Sequence, residues 1–115
     1  MDKINIRIPA KENYLKSLRL LSASVASDIG FDIEDVEDIR VVVSEAVNYK
    51  LSEEYVDIEF LVEENSLTVL VVGKDRDIDK TALDMRNLIL EALADEVYVS
   101  EEEIRLVKRV KNGKR

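Results

Sequence analysis

The sequence contains no cysteine and no histidine among its 115 residues. The absence of cysteine excludes disulfide bonds, thiolate zinc sites and cysteine nucleophiles. The absence of histidine removes the most frequent general base and the most frequent transition-metal ligand of proteins. Any catalysis by this chain would therefore depend on carboxylates, hydroxyls or amines.

Long apolar runs are also absent, since no segment approaches the ~20 residues of a membrane-spanning helix. Residues 1–8 alternate between polar and apolar side chains instead of forming the apolar block of a signal peptide. These features predict a cytoplasmic protein without a membrane partner. Apolar residues nevertheless make up 46% of the chain, which predicts one globular domain over residues 1–115, with residues 110–115 as a frayed tail.

The net charge is −8, from 25 acidic and 17 basic residues, and it is unevenly distributed. Between Asp28 and Glu64 there are 13 acidic residues and only two basic ones. This excess argues against nucleic acid as the main ligand, because phosphates would be repelled. After Glu103 there are six basic residues and no acidic one. This basic end predicts a solvated last strand and tail or, alternatively, an electrostatic contact with an acidic partner.

The spacing of apolar residues predicts eight helices and strands. Alternation in residues 3–8 predicts a strand that Pro9 ends, and apolar spacings of three and four predict two helices that follow it. The predicted helices are 11–29, 33–50 and 80–94, and the later strands are 55–62, 67–72, 97–99 and 104–110. This β-α-α-β-β-α-β-β order predicts an α/β (α+β) two-layer sandwich, with a mostly antiparallel five-stranded sheet covered on one face by three helices.

Several segments resemble the anti-sigma factor serine kinases of bacteria, which are members of the histidine-kinase-like ATPase superfamily. They are residues 8–14 (Ile-Pro-Ala-Lys-Glu-Asn-Tyr), 30–31 (Gly-Phe), 38–48 (Asp-Ile-Arg-Val-Val-Val-Ser-Glu-Ala-Val-Asn) and 88–97 (Leu-Ile-Leu-Glu-Ala-Leu-Ala-Asp-Glu-Val). The resemblance covers nearly the whole chain, and the predicted order of elements is the order of that family. It therefore implies the histidine-kinase-like ATPase fold, also called the Bergerat fold.

The segment Ser44-Glu45-Ala46-Val47 is the most specific part of the resemblance. In the family, a glutamate on this helix positions the attacking hydroxyl, and an asparagine four residues later holds the magnesium that bridges the nucleotide phosphates. Glu45 matches that glutamate, whereas Asn48 follows it by three residues. On a regular helix this shift rotates the amide by about 100°, and a kink or π-bulge would be needed to restore the metal ligand.

The other two nucleotide motifs of the family are degenerate here. The family places Asp-x-Gly at the adenine, but this chain has Gly73-Lys74-Asp75. Either Asp75 or Asp77 would then have to reach the base from a flexible loop. The glycine-rich lid of the family aligns with residues 84–87, which contain no glycine and carry an aspartate that would repel phosphate.

The resemblance and its departures imply an anti-sigma-factor-like regulator that acts by protein–protein binding, has lost ATP binding and kinase activity, and uses no cofactor. Its partners would be a sigma factor, an anti-anti-sigma protein or both. An arginine on the first helix contacts the partner in the family and matches Arg19 here. Lys16, three residues earlier on the same helix, would extend a small basic face for partner binding.

Alternatives remain open. One is an active Mg-ATP-dependent serine/threonine protein kinase that phosphorylates an anti-anti-sigma factor, in which Glu45 is the base, Asn48 binds magnesium and Asp75 binds adenine. A hybrid would bind nucleotide weakly without phosphoryl transfer. A third alternative is a homodimer without a switch, since family members commonly pair through the first strand and helix, and the three isoleucines of residues 3–8 offer such an edge.

Overall fold

A computed structural model describes residues 1–111 and contains the five strands and three helices in the predicted order. The elements are β1 (Asp2–Pro9), a short 3-10 turn (Glu12–Tyr14), α1 (Leu15–Ile29), α2 (Ile33–Asn48), β2 (Tyr55–Val62), β3 (Ser66–Val72), α3 (Lys80–Leu93), β4 (Glu96–Val99) and β5 (Glu103–Arg109). Their ends differ from the predicted ones by a few residues, most at the start of α1. Residues 112–115 of the predicted frayed tail lie outside the described part.

The five strands form one sheet in the order β1-β2-β3-β5-β4, and every neighbouring pair is antiparallel. Successive side chains of a strand point to opposite faces of the sheet. In β2, Val56, Ile58 and Phe60 are buried against the helical layer, whereas Asp57 and Glu59 lie on the other face. The predicted two-layer sandwich with helices on one face is therefore confirmed.

The helix ends follow from local chemistry. Gly30 has a φ of 110° and ends α1 in the left-handed conformation that glycine adopts without strain. The side chains of Asp32 and Asp79 accept hydrogen bonds from the amides of Asp35 and Ala82, so each caps the first turn of α2 or α3. Both acidic N-caps and the glycine stop lie directly beside the ends of the predicted helices 33–50, 80–94 and 11–29.

The hydrophobic core lies between the sheet and the three helices. Its largest apolar side chains include Leu18, Ile39, Ile58, Phe60, Leu67, Leu90 and Ile104, each at most 2% exposed. Within residues 1–111, no helix has the length and apolar character needed to cross a membrane.

Candidate functional site

The residues predicted to bind nucleotide surround the C-terminal end of α2 and the loop of residues 73–79. Glu45 and Asn48 are both half-buried, and Asn48 is the last residue of the helix. The whole of α2 is a regular α-helix without a π-turn. The three-residue spacing is therefore kept, and nothing in the helix rotates Asn48 into the position that the family's asparagine occupies.

Arg76 fastens the 73–79 loop to the end of α2. Its amide donates to the carbonyl of Tyr49 at 2.8 Å, and its guanidinium donates to the carbonyl of Asn48 at 3.3 Å. The last carbonyls of a helix lack partners inside the helix and carry partial negative charge, so a cation is favourable there. A further hydrogen bond holds this loop, because the Ser52 hydroxyl donates to the carbonyl of Lys74 at 2.7 Å.

Asp75 lies on this loop, but its carboxylate points into the protein. One carboxylate oxygen lies 2.7 Å from a terminal guanidinium nitrogen of Arg86 and 3.0 Å from Nζ of Lys50. The side chains of Lys50 and Arg86 are 0% and 1% exposed, and that of Asp75 is 15% exposed. We call these three residues the Asp75 cluster. The carboxylate of Asp75 is therefore turned away from the solvent, whereas adenine binding would require it to reach the base from this loop.

Each cation of the Asp75 cluster has further partners. Lys50 donates to the carbonyls of Ser100 and Glu101, both at 2.9 Å, and so ties the cluster to the turn between β4 and β5. Burial lowers the pKa of Lys50, while its hydrogen bond and charge attraction to Asp75 act in the opposite direction. Buried charges are tolerated only when they are paired and hydrogen-bonded, and the cluster meets both conditions.

Arg86 belongs to the segment of residues 84–87 that aligns with the family's lid. Its Nε donates to the side-chain carbonyl of Asn87 at 3.0 Å, and its guanidinium lies 5.8 Å from the centroid of the Tyr49 ring. Arg86 therefore joins α3 to the end of α2. The two degenerate motifs of the sequence thus contact each other directly, because the carboxylate of one pairs with the guanidinium of the other.

A groove between α1 and α2 holds two of the predicted site residues. Its volume is about 310 Å³, and its lining residues are Arg19, Glu37, Arg40, Val41, Ser44 and Glu45. The Nε of Arg19 donates to the hydroxyl of Ser44 at 3.0 Å. Within residues 1–111 the terminal nitrogens of Arg19 have no hydrogen-bond or ion-pair partner, so they can contact another molecule. Lys16 is exposed on α1, one turn before Arg19.

The structure thus separates the predicted site residues into two groups. Arg19 and Glu45 line the groove with Lys16 beside it, whereas Asn48 and Asp75 lie at the end of α2 and the attached loop. Among the described residues, no group of three or more carboxylates forms a candidate metal site.

Three buried cations are missing from the sequence-based predictions: Lys50, Arg86 and Lys108. Lys108 donates to the carbonyl of Leu93 at 2.7 Å and lies 3.6 Å from the buried carboxylate of Asp35. The prediction of a solvated last strand is therefore wrong for Lys108. A signal was present, since Lys108 continues the alternation of Ile104 and Leu106 on the inner face of β5.

Comparison with known proteins finds similarity to curated serine kinases. The chain is 34% identical over 88 residues to the serine-protein kinase RsbW of Bacillus pumilus (strain SAFR-032), a match that covers 69% of this chain and 54% of that protein. It is 34% identical over 84 residues to the serine-protein kinase RsbW of Bacillus thuringiensis (strain Al Hakam), with coverages of 68% and 52%. The chain spans about half the length of the curated relatives it matches. No protein-family model matches the chain.

Proposed function

We propose that this chain, which belongs to the anti-sigma factor serine kinase family, regulates transcription by binding a protein partner and does so without nucleotide. The proposed partner is a sigma factor, an anti-anti-sigma protein or both. Such partners act in the cytoplasm, which is therefore the proposed location. The observation that carries the nucleotide-independent part is the Asp75 cluster.

The donor and acceptor arrangement of the Asp75 cluster does not fit an adenine ligand. A carboxylate that recognises an adenine amino group must turn toward the base. One oxygen of the Asp75 carboxylate instead pairs with both Lys50 and Arg86, which are fully buried, and only 15% of the Asp75 side chain is exposed. Turning Asp75 toward a base would leave these two cations without their counter-ion, and uncompensated buried charge costs about 3–5 kcal/mol. This cost supports a regulator that does not bind ATP.

The groove between α1 and α2 supports the protein-binding part of the proposal. The hydrogen bond from Nε to Ser44 restrains the Arg19 guanidinium, and within residues 1–111 its two terminal nitrogens have no hydrogen-bond or ion-pair partner. A guanidinium held in this way can form two parallel hydrogen bonds with one carboxylate. We therefore expect Arg19 to contact an acidic side chain of the partner, with Lys16 adding positive charge nearby.

The competing proposal is an active Mg-ATP-dependent serine/threonine kinase with an anti-anti-sigma factor as substrate. One observation favours it. Glu45 is half-buried in the groove, and within the described residues its carboxylate has no hydrogen-bond or ion-pair partner, as a general base would require. Asn48 and Asp75 would have to supply the magnesium and adenine contacts.

Binding measurements with purified partners test the proposed function. Each sigma factor and anti-anti-sigma protein from the same genome would be titrated against the full chain by calorimetry, with and without Mg-ATP. We expect one partner to bind with the same affinity in both conditions. Arg19→Glu should weaken that binding at least about tenfold, corresponding to about 1.4 kcal/mol.

Lys80→Glu is the matched control for this experiment. It makes the same charge change as Arg19→Glu, but at a side chain that is 88% exposed on α3, away from the groove. It should bind like the wild type. Binding that requires Mg-ATP would contradict the nucleotide-independent proposal and favour the kinase. Equal affinities for Arg19→Glu and wild type would exclude Arg19 as the anchor.

A further inference from the structure

The groove between α1 and α2 holds two charges of opposite sign that are not paired within the described part of the chain. There, neither the terminal nitrogens of Arg19 nor the carboxylate of Glu45 has a hydrogen-bond or ion-pair partner. Two other charges of the groove are satisfied, because Arg40 donates to Glu37 at 3.1 Å. The charges of Arg19 and Glu45 are therefore available to a molecule that enters the groove.

Neither of these two charges has a counter-ion on its own helix. Side chains three or four positions apart are neighbours on a helix surface. Around Arg19 these positions hold leucine, lysine, serine and alanine, and around Glu45 they hold two valines, an asparagine and a tyrosine. None of them carries the opposite charge, so local pairing of the kind that joins Arg40 to Glu37 is not possible for Arg19 or Glu45.

Val41 separates the two charges across the surface of α2. At about 100° per residue, Glu45 and Ser44, which binds Arg19, lie on either side of Val41 around the helix. The angle between Ser44 and Glu45 corresponds to roughly 8 Å at the outer radius of a helix. Val41 is 42% exposed. The groove thus presents a cation, an apolar side chain and an anion in this order.

The position of Glu45 is unfavourable for α2 itself. Glu45 lies in the last turn of this helix, where the unpaired carbonyls carry partial negative charge, and the turn contains no basic residue. Glu45 therefore contributes neither an ion pair nor a favourable interaction with the helix dipole to the fold. We expect its replacement to leave the stability of the chain unchanged or slightly raised.

We propose that Glu45 binds a lysine or arginine side chain of the protein partner. This inference rests on the proposed function and adds the chemistry that the partner needs. The partner surface would place an acidic side chain at Arg19, an apolar one at Val41 and a basic one at Glu45. A partner segment with the reverse order of charges would form two like-charge contacts, so the groove also selects the orientation of the partner.

This role of Glu45 differs from that of a general base. A general base takes the proton of the attacking hydroxyl during phosphoryl transfer, which requires bound nucleotide. An ion pair between Glu45 and the partner stabilises the complex without nucleotide. Binding measured in the absence of nucleotide therefore separates the two roles.

Nucleotide-free calorimetric titration tests this proposal, with the sigma factor or anti-anti-sigma protein that binds the wild type. Glu45→Lys should weaken the binding at least about tenfold, and Glu45→Gln, which keeps the size of the side chain, should weaken it less. Glu91→Lys is the matched control, since it makes the same charge change at an exposed position of α3, and it should bind like the wild type. The urea unfolding midpoint of Glu45→Lys should be no lower than that of the wild type, which excludes unfolding as the cause of weak binding.

Charge reversal on the partner identifies the contact. Each exposed lysine and arginine of the partner would be changed singly to glutamate and titrated against Glu45→Lys. One of these partner variants should restore the binding of Glu45→Lys but not that of Arg19→Glu, because the two contacts lie on opposite sides of Val41.

Two results would overturn the proposal. They are equal affinities of Glu45→Lys and wild type, and weak binding of Glu45→Lys that no partner variant restores. In both cases the wild-type complex still forms, so the proposed function stands. A wild type that binds no sigma factor and no anti-anti-sigma protein would refute the proposed function, and this inference with it.

Discussion

The carboxylate of Asp75 lies 2.7 Å from the guanidinium of Arg86, and this ion pair joins the two segments that depart most from the nucleotide-binding pattern of the family. Lys50 completes the cluster at 3.0 Å. Asp75 and Arg86 belong to the segments that align with the family's adenine-binding motif and glycine-rich lid, and here they neutralise each other. Together with Arg76 they hold the 73–79 loop against the end of α2.

Replacing Asp75 by asparagine should destabilise the protein more than replacing Lys50 by methionine. Asp75→Asn leaves two buried cations uncompensated, which costs about 3–5 kcal/mol. Lys50→Met keeps the Asp75–Arg86 pair and removes hydrogen bonds to two carbonyls, a loss of about 1–2 kcal/mol. Urea unfolding midpoints measure both effects. Asp77→Asn, an exposed change on the same loop, is the control, and an Asp75→Asn midpoint equal to it would contradict a stabilising cluster.

The contribution of Lys50 to the stability of the wild type should rise with pH in the alkaline range. Burial lowers the pKa of Lys50 in the folded chain, whereas in the unfolded chain it is about 10.4. Between these two values the unfolded state binds more protons, so the free energy of unfolding increases as the pH rises. The difference between wild type and Lys50→Met in urea unfolding at successive pH values isolates this contribution. A difference that does not change with pH would show that Lys50 titrates normally.

Core packing by α1 should depend on Leu18 and not on Leu20. Leu18 is 2% exposed and faces the core, whereas Leu20 is 57% exposed on the same helix. Leu18→Ala should lower the free energy of unfolding by about 2–5 kcal/mol, because it removes buried apolar surface and leaves a cavity. Leu20→Ala should change it by less than about 0.5 kcal/mol. Equal unfolding midpoints for the two variants would contradict the placement of α1.

Titration with ATP and with ADP, each with magnesium and up to millimolar concentration, should give no binding heat and no shift of the thermal midpoint. The reason is that the Asp75 carboxylate is already paired with two buried cations. Clear binding would reverse this conclusion and would make Glu45 and Asn48 the first residues to substitute. Loss of the binding in Asn48→Ala, but not in Asn5→Ala, which makes the same change at an exposed position on β1, would then assign the magnesium contact to Asn48.

The fold was predictable because its determinants are local. The alternation of Ile4, Ile6 and Ile8 and the helical spacing of Leu15, Leu18 and Val25 follow from the geometry of strands and helices. The candidate site was predictable only in part. Glu45 and Arg19 could be matched to a family pattern, and the structure brings both into one groove. Lys16 was added from its helical spacing to Arg19.

The buried cations could not be assigned in this way. Lysine and arginine are usually exposed, so Lys50 and Arg86 resemble ordinary surface residues until their partners are known. A signal of burial was present, since Lys50, in the turn after α2, continues the spacing of Val43 and Val47, and Arg86 lies one turn before Leu90 on α3. The identity of the counter-ion depends on how the 73–79 loop folds back, which local spacing does not specify.

By itself, the sequence determined the type and order of the helices and strands, the caps of α2 and α3, and the family, because these depend on short-range periodicity, single capping residues and matched motifs. Only the tertiary structure decided that Asp75 turns inward to Lys50 and Arg86, that Lys50 reaches the carbonyls of Ser100 and Glu101, and that Lys108 is buried. These contacts join residues far apart in the chain, and they form only when the packing of helices on the sheet brings the residues together and removes the water that would otherwise solvate them.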